Sequence, residues 1–129
     1  MKKNGLYIIL SILIASFISV AAYASTPNDT VLLYFQSLKN GDVVTIKDLI
    51  TGKLYEKRKV LLEQNENYSE FLKNLYQYAE FEITETTVKD SDAQINVQVN
   101  SPDGKRPFIL FLKKDDEGNW KIYKEMSEQ

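Results

Sequence analysis

The chain holds no histidine and no cysteine, so any catalysis must run on Asp, Glu, Lys, Tyr or Ser side chains. That composition removes most zinc, copper and haem ligand sets, and neither a metal site nor a cofactor is expected. The pairing with most chemical sense is a tyrosine hydroxyl beside a carboxylate. The carboxylate would take a proton next to a carbonyl, and the hydroxyl would donate to the developing oxyanion. Tyr34 with Asp42 or Asp48 is the nominee. Each has a simpler role. Tyr34 fits a helix position with its ring on the core and its hydroxyl at the rim, and Asp42 fits a helix N-cap. No acid in the strand-like segments is flanked by apolar residues as a buried base would be, so no catalytic residue is expected.

Other clusters read as surface or packing. Lys53, Lys57, Arg58 and Lys59 form a basic run, but Glu56 interrupts it and Glu63 lies four residues past Lys59, as on a solvated ion-pair face. Asp90-Ser91-Asp92 and Asp115-Asp116-Glu117 lack the alternating pattern of a calcium loop and have turn chemistry. Tyr55, Tyr68, Phe71, Tyr76 and Tyr78 recur at helical spacing, as a helix face packed on a sheet does. Tyr76 and Tyr78 lie about 200° apart around a helix, so at least one of them should be exposed or at an interface.

The N-terminus sets the compartment. Lys2 and Lys3, an apolar run from Leu6 to Val20, and Ala22-Tyr23-Ala24 have the three-part pattern of a secretory signal peptide cleaved after Ala24. The stretch Leu6 to Ala22, broken by Ser11, Ser16 and Ser19, sits at the lower edge of the ~17–25 residues of a spanning helix. The expectation is residues 1–24 as a cleaved signal and 25–129 as one exported domain, periplasmic or secreted, without a membrane span after cleavage. Loss of the two lysines takes the net charge from −2 to −4, which disfavours nucleic acid as a partner. With no disulfide possible, the domain must stand on packing alone.

The positioning elements follow from periodicity. Thr26-Pro27-Asn28-Asp29 opens a helix whose apolar face carries Val31, Leu32, Phe35 and Leu38, flanked by Tyr34, and Gly41 is its expected left-handed cap. Asp42 opens a short helix, Val43 to Ile50, with Ile46, Leu49 and Ile50 inward. Leu54 to Tyr78 is helical with a break or kink at Gln64-Asn65-Glu66-Asn67, its apolar face being Leu54, Tyr55, Leu61 and Leu62 in the first part and Phe71, Leu72, Leu75 and Tyr78 in the second. From Phe81 the period becomes two: Phe81-Ile83, Ala93-Val99, Phe108-Leu112 and Trp120-Ile122 are strands joined by short turns, hence an antiparallel four-stranded meander.

The opening helix followed by Lys39-Asn40-Gly41-Asp42, and the closing Asp116-Glu117-Gly118-Asn119-Trp120-Lys121-Ile122, resemble the entry and the final hairpin of NTF2-like (cystatin-like α+β) domains. The likeness runs from Thr26 to Met126 and is greatest to small exported bacterial members of uncharacterised function, many of them lipoproteins, whose lipid-accepting Cys this chain lacks. It implies N-terminal helices in the concave side of a curved antiparallel sheet, with a ligand cone between them. Tyr34, Phe35, Leu38 and Trp120 are its candidate lining. The superfamily includes isomerases, dehydratases, transport factors, immunity proteins and scaffolds, so the fold alone selects no activity. A non-enzymatic domain binding a protein partner or a small apolar ligand in the cell envelope is expected. The alternative is a cofactor-free isomerase or dehydratase using a Tyr/Asp pair in the cone.

The third strand is apolar on both faces. Ile109 and Phe111, with Tyr123, are therefore expected to form a homodimer or partner surface on the outer sheet face.

Overall fold

The computed structural model describes residues 26–127, so the signal-peptide reading of residues 1–24 lies outside the described residues. Helix α1, Pro27–Asn40, starts where Thr26 Oγ1 accepts the Asp29 amide at 3.0 Å and Pro27 takes the first helical position. It ends at Gly41, whose φ of 66° lets its amide and that of Asp42 bond back to Leu38 and Ser37. Asp42 then caps α2, Val43–Leu49, by accepting the Thr45 amide. Helices α3, Gly52–Gln64, and α4, Tyr68–Tyr76, are separate, and the break falls on the Asn-rich tetrapeptide.

Strands β1 (Glu80–Lys89), β2 (Asp92–Ser101), β3 (Gly104–Lys114) and β4 (Trp120–Ser127) form one antiparallel sheet in chain order. The short turns chosen from sequence separate them, but the strands run longer than the apolar alternation alone marked. Two bulges bend the sheet, at Thr84 in β1 and at Tyr123 in β4. The Tyr123 bulge matters most. Ile122 faces Leu112 and Lys124 faces Phe111, so the residue that next points inward is Glu125, opposite Leu110. The open edge of β4 is covered by the α2–α3 link, where the Thr51 amide donates to the Ile122 carbonyl at 2.9 Å.

The inner sheet face and the helices share one core built on Val31, Tyr34, Phe35, Leu38, Ile46, Ile95, Leu110, Leu112 and Ile122. Several positions differ from the expected core. Leu32 is exposed and Tyr34 is fully buried, so the stripe of α1 is Val31, Tyr34, Phe35 and Leu38, one position round from the sequence reading. Phe71 and Leu75, expected to cover the core from α4, are exposed, and Leu72 alone of that helix is fully inside. Tyr78, expected on the same face, lies beyond the helix end and is exposed.

Gly41 is the tightest backbone position. A Cβ there would stand 2.5 Å from the Ser69 carbonyl oxygen of α4, while Ser69 Oγ donates to the Gly41 carbonyl at 2.6 Å. Gly41→Ala combines a left-handed backbone with a backbone clash, and a loss of about 2 kcal/mol or more is expected. Urea unfolding followed by circular dichroism checks it, and a loss near zero would mean that α1 and α4 can separate freely.

Candidate functional site

Three polar side chains meet inside the cone, one each from α1, α3 and β4. Arg58 Nη1 donates to the Tyr34 hydroxyl oxygen at 2.5 Å, the Tyr34 hydroxyl donates to Glu125 Oε2 at 2.9 Å, and Arg58 Nη2 donates to the same Oε2 at 2.7 Å. The Arg58 guanidinium also lies 5.9 Å from the centre of the Tyr34 ring. Tyr34 is fully buried, and the side chains of Arg58 and Glu125 are 20% and 9% exposed.

The periods of the elements explain how the three converge. Leu54, Arg58 and Leu62 recur at four-residue spacing, which places Arg58 in the buried stripe of α3. Glu125 turns inward because of the Tyr123 bulge. Burial, and next the Glu125 carboxylate, push the Tyr34 hydroxyl well above its ordinary pKa, so it stays a donor. Burial also works against the Arg58 charge, but Tyr34 and Glu125 outweigh it and hold the guanidinium above its usual value. Tyr76 is raised as well, by burial first and Glu125 second.

This cluster corrects two sequence expectations. Arg58 belongs to the cone and not to a solvated basic face, although its neighbour Lys59 does pair with Glu56 at 2.9 Å. A buried strand acid does exist, and it is Glu125. Asp42 and Asp48 are exposed on α2, with Asp42 engaged by Thr45. The candidate lining residues Tyr34, Phe35, Leu38 and Trp120 are buried members of the core, so they fill the cone and do not line an opening into it. Phe35 stacks on Phe81 at 4.4 Å between ring centres and meets Phe108 edge-on at 6.3 Å.

Open space lies at the rim. A groove of about 220 Å³ is bounded by Leu75, Tyr76 and Tyr78 at the end of α4, Val99 of β2, and Arg106 and Phe108 of β3. Beside it, Phe71, Leu75 and Tyr78 lie at spacings of four and three residues and are 50%, 57% and 71% exposed. This is the largest departure from the sequence reading, which assigned those rings and the leucine to packing. On the far side of the sheet, Ile109, Phe111 and Tyr123 are half-buried on the outer face, with Phe111 and Tyr123 6.4 Å apart between ring centres.

No family model matches the chain, and no curated protein matches it. Solved structures do. An NTF2-like protein from Campylobacter jejuni described as a candidate transpeptidase aligns with a TM-score of 0.57 at 19% identity, over 78% of this chain and 99% of its own. A candidate ketosteroid isomerase from Shewanella frigidimarina aligns with a TM-score of 0.57 at 16% identity, over 78% and 92%. An NTF2-like protein of unknown function from Shewanella baltica aligns with a TM-score of 0.54 at 13% identity, over 78% and 90%. The chain therefore has the NTF2-like α+β fold. At these identities the likeness is one of architecture.

The cluster makes two expectations. Glu125→Leu strands the Arg58 charge in the cone and should cost about 3–5 kcal/mol, whereas Arg58→Met combined with Glu125→Leu should cost clearly less. Urea midpoints of the three proteins decide this, and equal losses in the single and double variants would contradict the pairing. The second expectation is alkaline sensitivity. Unfolded tyrosine titrates at 10.0 and folded Tyr34 titrates higher, so its contribution is complete below pH 10.0 and is lost as pH climbs towards the folded value. Tyr34→Phe should lower stability near neutrality by about 1–2 kcal/mol and flatten the fall above that pH. Parallel slopes for both proteins from pH 8 to 11 would contradict it.

Proposed function

We propose that this is an exported, non-enzymatic binding domain that receives a protein partner on the α4 stripe and its adjoining groove, in the cell envelope. The observation that carries the reading is the run Phe71, Leu75 and Tyr78, three large side chains at least half exposed on α4 and just past its end. Such contiguous apolar surface marks a contact site, and tyrosine and phenylalanine are enriched at the centres of interfaces. The groove supports a partner side chain over a free small ligand. Its volume of about 220 Å³ lies below the roughly 300–1,000 Å³ of ordinary ligand pockets. Export is supported by Lys2, Lys3, the apolar run and Ala22-Tyr23-Ala24. No helix among the described residues is long and apolar enough to cross a membrane.

The enzymatic alternative has one observation in its favour, the 2.9 Å bond between Tyr34 and Glu125. Arg58 weighs against it, because it donates to the Tyr34 hydroxyl oxygen and to the same Glu125 oxygen that the hydroxyl bonds. That alternative requires simple cyclic enones to contact Tyr34 in saturation-transfer spectra, and to lose that contact in Tyr34→Phe.

A photoreactive side chain at Leu75, introduced in the producing cell, should yield one discrete protein adduct in the envelope fraction. The same group at Asp116, in the distant β3–β4 turn, should yield none, and Tyr78→Glu should weaken the Leu75 adduct severalfold. Absence of an adduct from Leu75, together with displacement of an apolar fluorophore by a small molecule, would transfer the site to the small-ligand reading. Export is checked separately by the N-terminal residue of the protein recovered outside the cytoplasm, expected to be Ser25.

A further inference from the structure

The bulge that turns Glu125 into the cone turns Lys124 the other way, onto the outer side of the sheet opposite Phe111. There the Lys124 ammonium lies 5.2 Å from the Phe111 ring centre. Lys113, two residues past Phe111 on the same face of β3, sets its ammonium 5.0 Å from the Tyr123 ring centre. It does so although Asp92 stands opposite it in the β2–β3 register. The start of α3 brings up Lys53 beside Gly52, where a Cβ would stand 3.7 Å from that of Tyr123. The three lysines, Tyr123, Thr51 and Gly52 bound a depression of about 510 Å³. No lining residue is acidic, and none of the three lysines forms an ion pair among the described residues.

We propose that this depression binds a small ring-bearing phosphate monoester, its phosphoryl group among the lysine ammonium groups and its ring against Tyr123. Each ammonium has three N–H donors, and attraction to a ring face leaves donors free for an anion. Three like charges around one hollow repel each other, and an anion placed among them replaces that repulsion with attraction. Lysine binds phosphate as a point charge, whereas the planar carboxylate is matched by arginine, and the lining has no arginine. The phosphoryl group carries a charge of about −1.5 to −2 near pH 7, enough to engage more than one of the lysines. The volume falls within the roughly 300–1,000 Å³ of ordinary ligand pockets, so a ring fits as well as the phosphoryl group. The half-buried Tyr123 ring supplies its apolar contact. Lys113 is at the far end of β3 from Arg106 and Phe108 of the α4 groove, so this site does not depend on the partner-binding reading.

The test titrates the chain, in the form the cell leaves it, with phenyl phosphate and follows backbone amide chemical shifts. Saturable shifts are expected at Gly52, Lys53, Lys113 and Lys124, at lower concentration than with inorganic phosphate and not at all with benzyl alcohol. Lys113→Gln/Lys124→Gln changes exposed side chains only and should weaken phenyl phosphate at least ~10-fold in a chain still folded by circular dichroism. Lys39→Gln/Lys105→Gln removes the same charge elsewhere and should leave the affinity unchanged. Tyr123→Leu should erase the advantage of phenyl phosphate over inorganic phosphate. Shifts that do not saturate would overturn the proposal, as would equal weakening by the two lysine pairs or equal affinity of the wild-type chain for the two phosphates. Preference for phosphatidylglycerol vesicles over phenyl phosphate would also overturn it, by making the depression a contact with a membrane surface.

Discussion

One buried charge pair ties the layers of this fold together. Tyr34, Arg58 and Glu125 come from the first helix, the third helix and the last strand, and their bonds of 2.5–2.9 Å join them at one point in the cone. Apolar packing is non-directional and tolerates sliding of a helix over a sheet. A guanidinium held to a single carboxylate oxygen through two routes does not, since any displacement strands a charge out of water. The cluster therefore fixes where α1 and α3 sit on the sheet, and the aromatic stack of Phe35 on Phe81 fills the cone beside it.

That arrangement also commits the polar groups of the cone to one another. A proton-abstracting carboxylate needs a free lone pair aimed at substrate, and an oxyanion donor needs a hydroxyl not already committed. Glu125 accepts from both neighbours, and the Tyr34 hydroxyl donates to one and accepts from the other. The same residue types that would make an isomerase site are here turned upon each other. Fold likeness to a candidate ketosteroid isomerase thus carries architecture alone.

The helix caps, the Asn-rich break and the four strands are legible in the sequence because each rests on local chemistry: Thr26 and Asp42 as caps, Gly41 as a left-handed stop, a switch from helical to alternating period at Phe81. Glu125 is illegible because a bulge at Tyr123 breaks the alternation that begins with Trp120 and Ile122. A strict period of two would aim Lys124 inward and Glu125 at solvent. Arg58 left a signal that went unused, a cation set four residues from Leu54 and four from Leu62 on the buried stripe. The exposure of Phe71, Leu75 and Tyr78 is non-local. Helical spacing marks a face as apolar, but which faces find cover depends on how much sheet there is to cover.

That last point sets what the chain can leave bare. A four-stranded sheet with helices on one side has one concave face to fill, and α1, α2 and α3 with Leu72 of α4 already fill it. The described residues end with β4, so nothing among them crosses the outer face, and the rest of the α4 stripe projects past the rim. Two apolar surfaces are left, of different chemistry. The outer face carries the half-buried Ile109, Phe111 and Tyr123 among exposed lysines and glutamates. The α4 stripe is narrow, more exposed and set beside a groove, suited to a side chain inserted from a different molecule. The packed core separates the two surfaces, so each is exposed independently of the other.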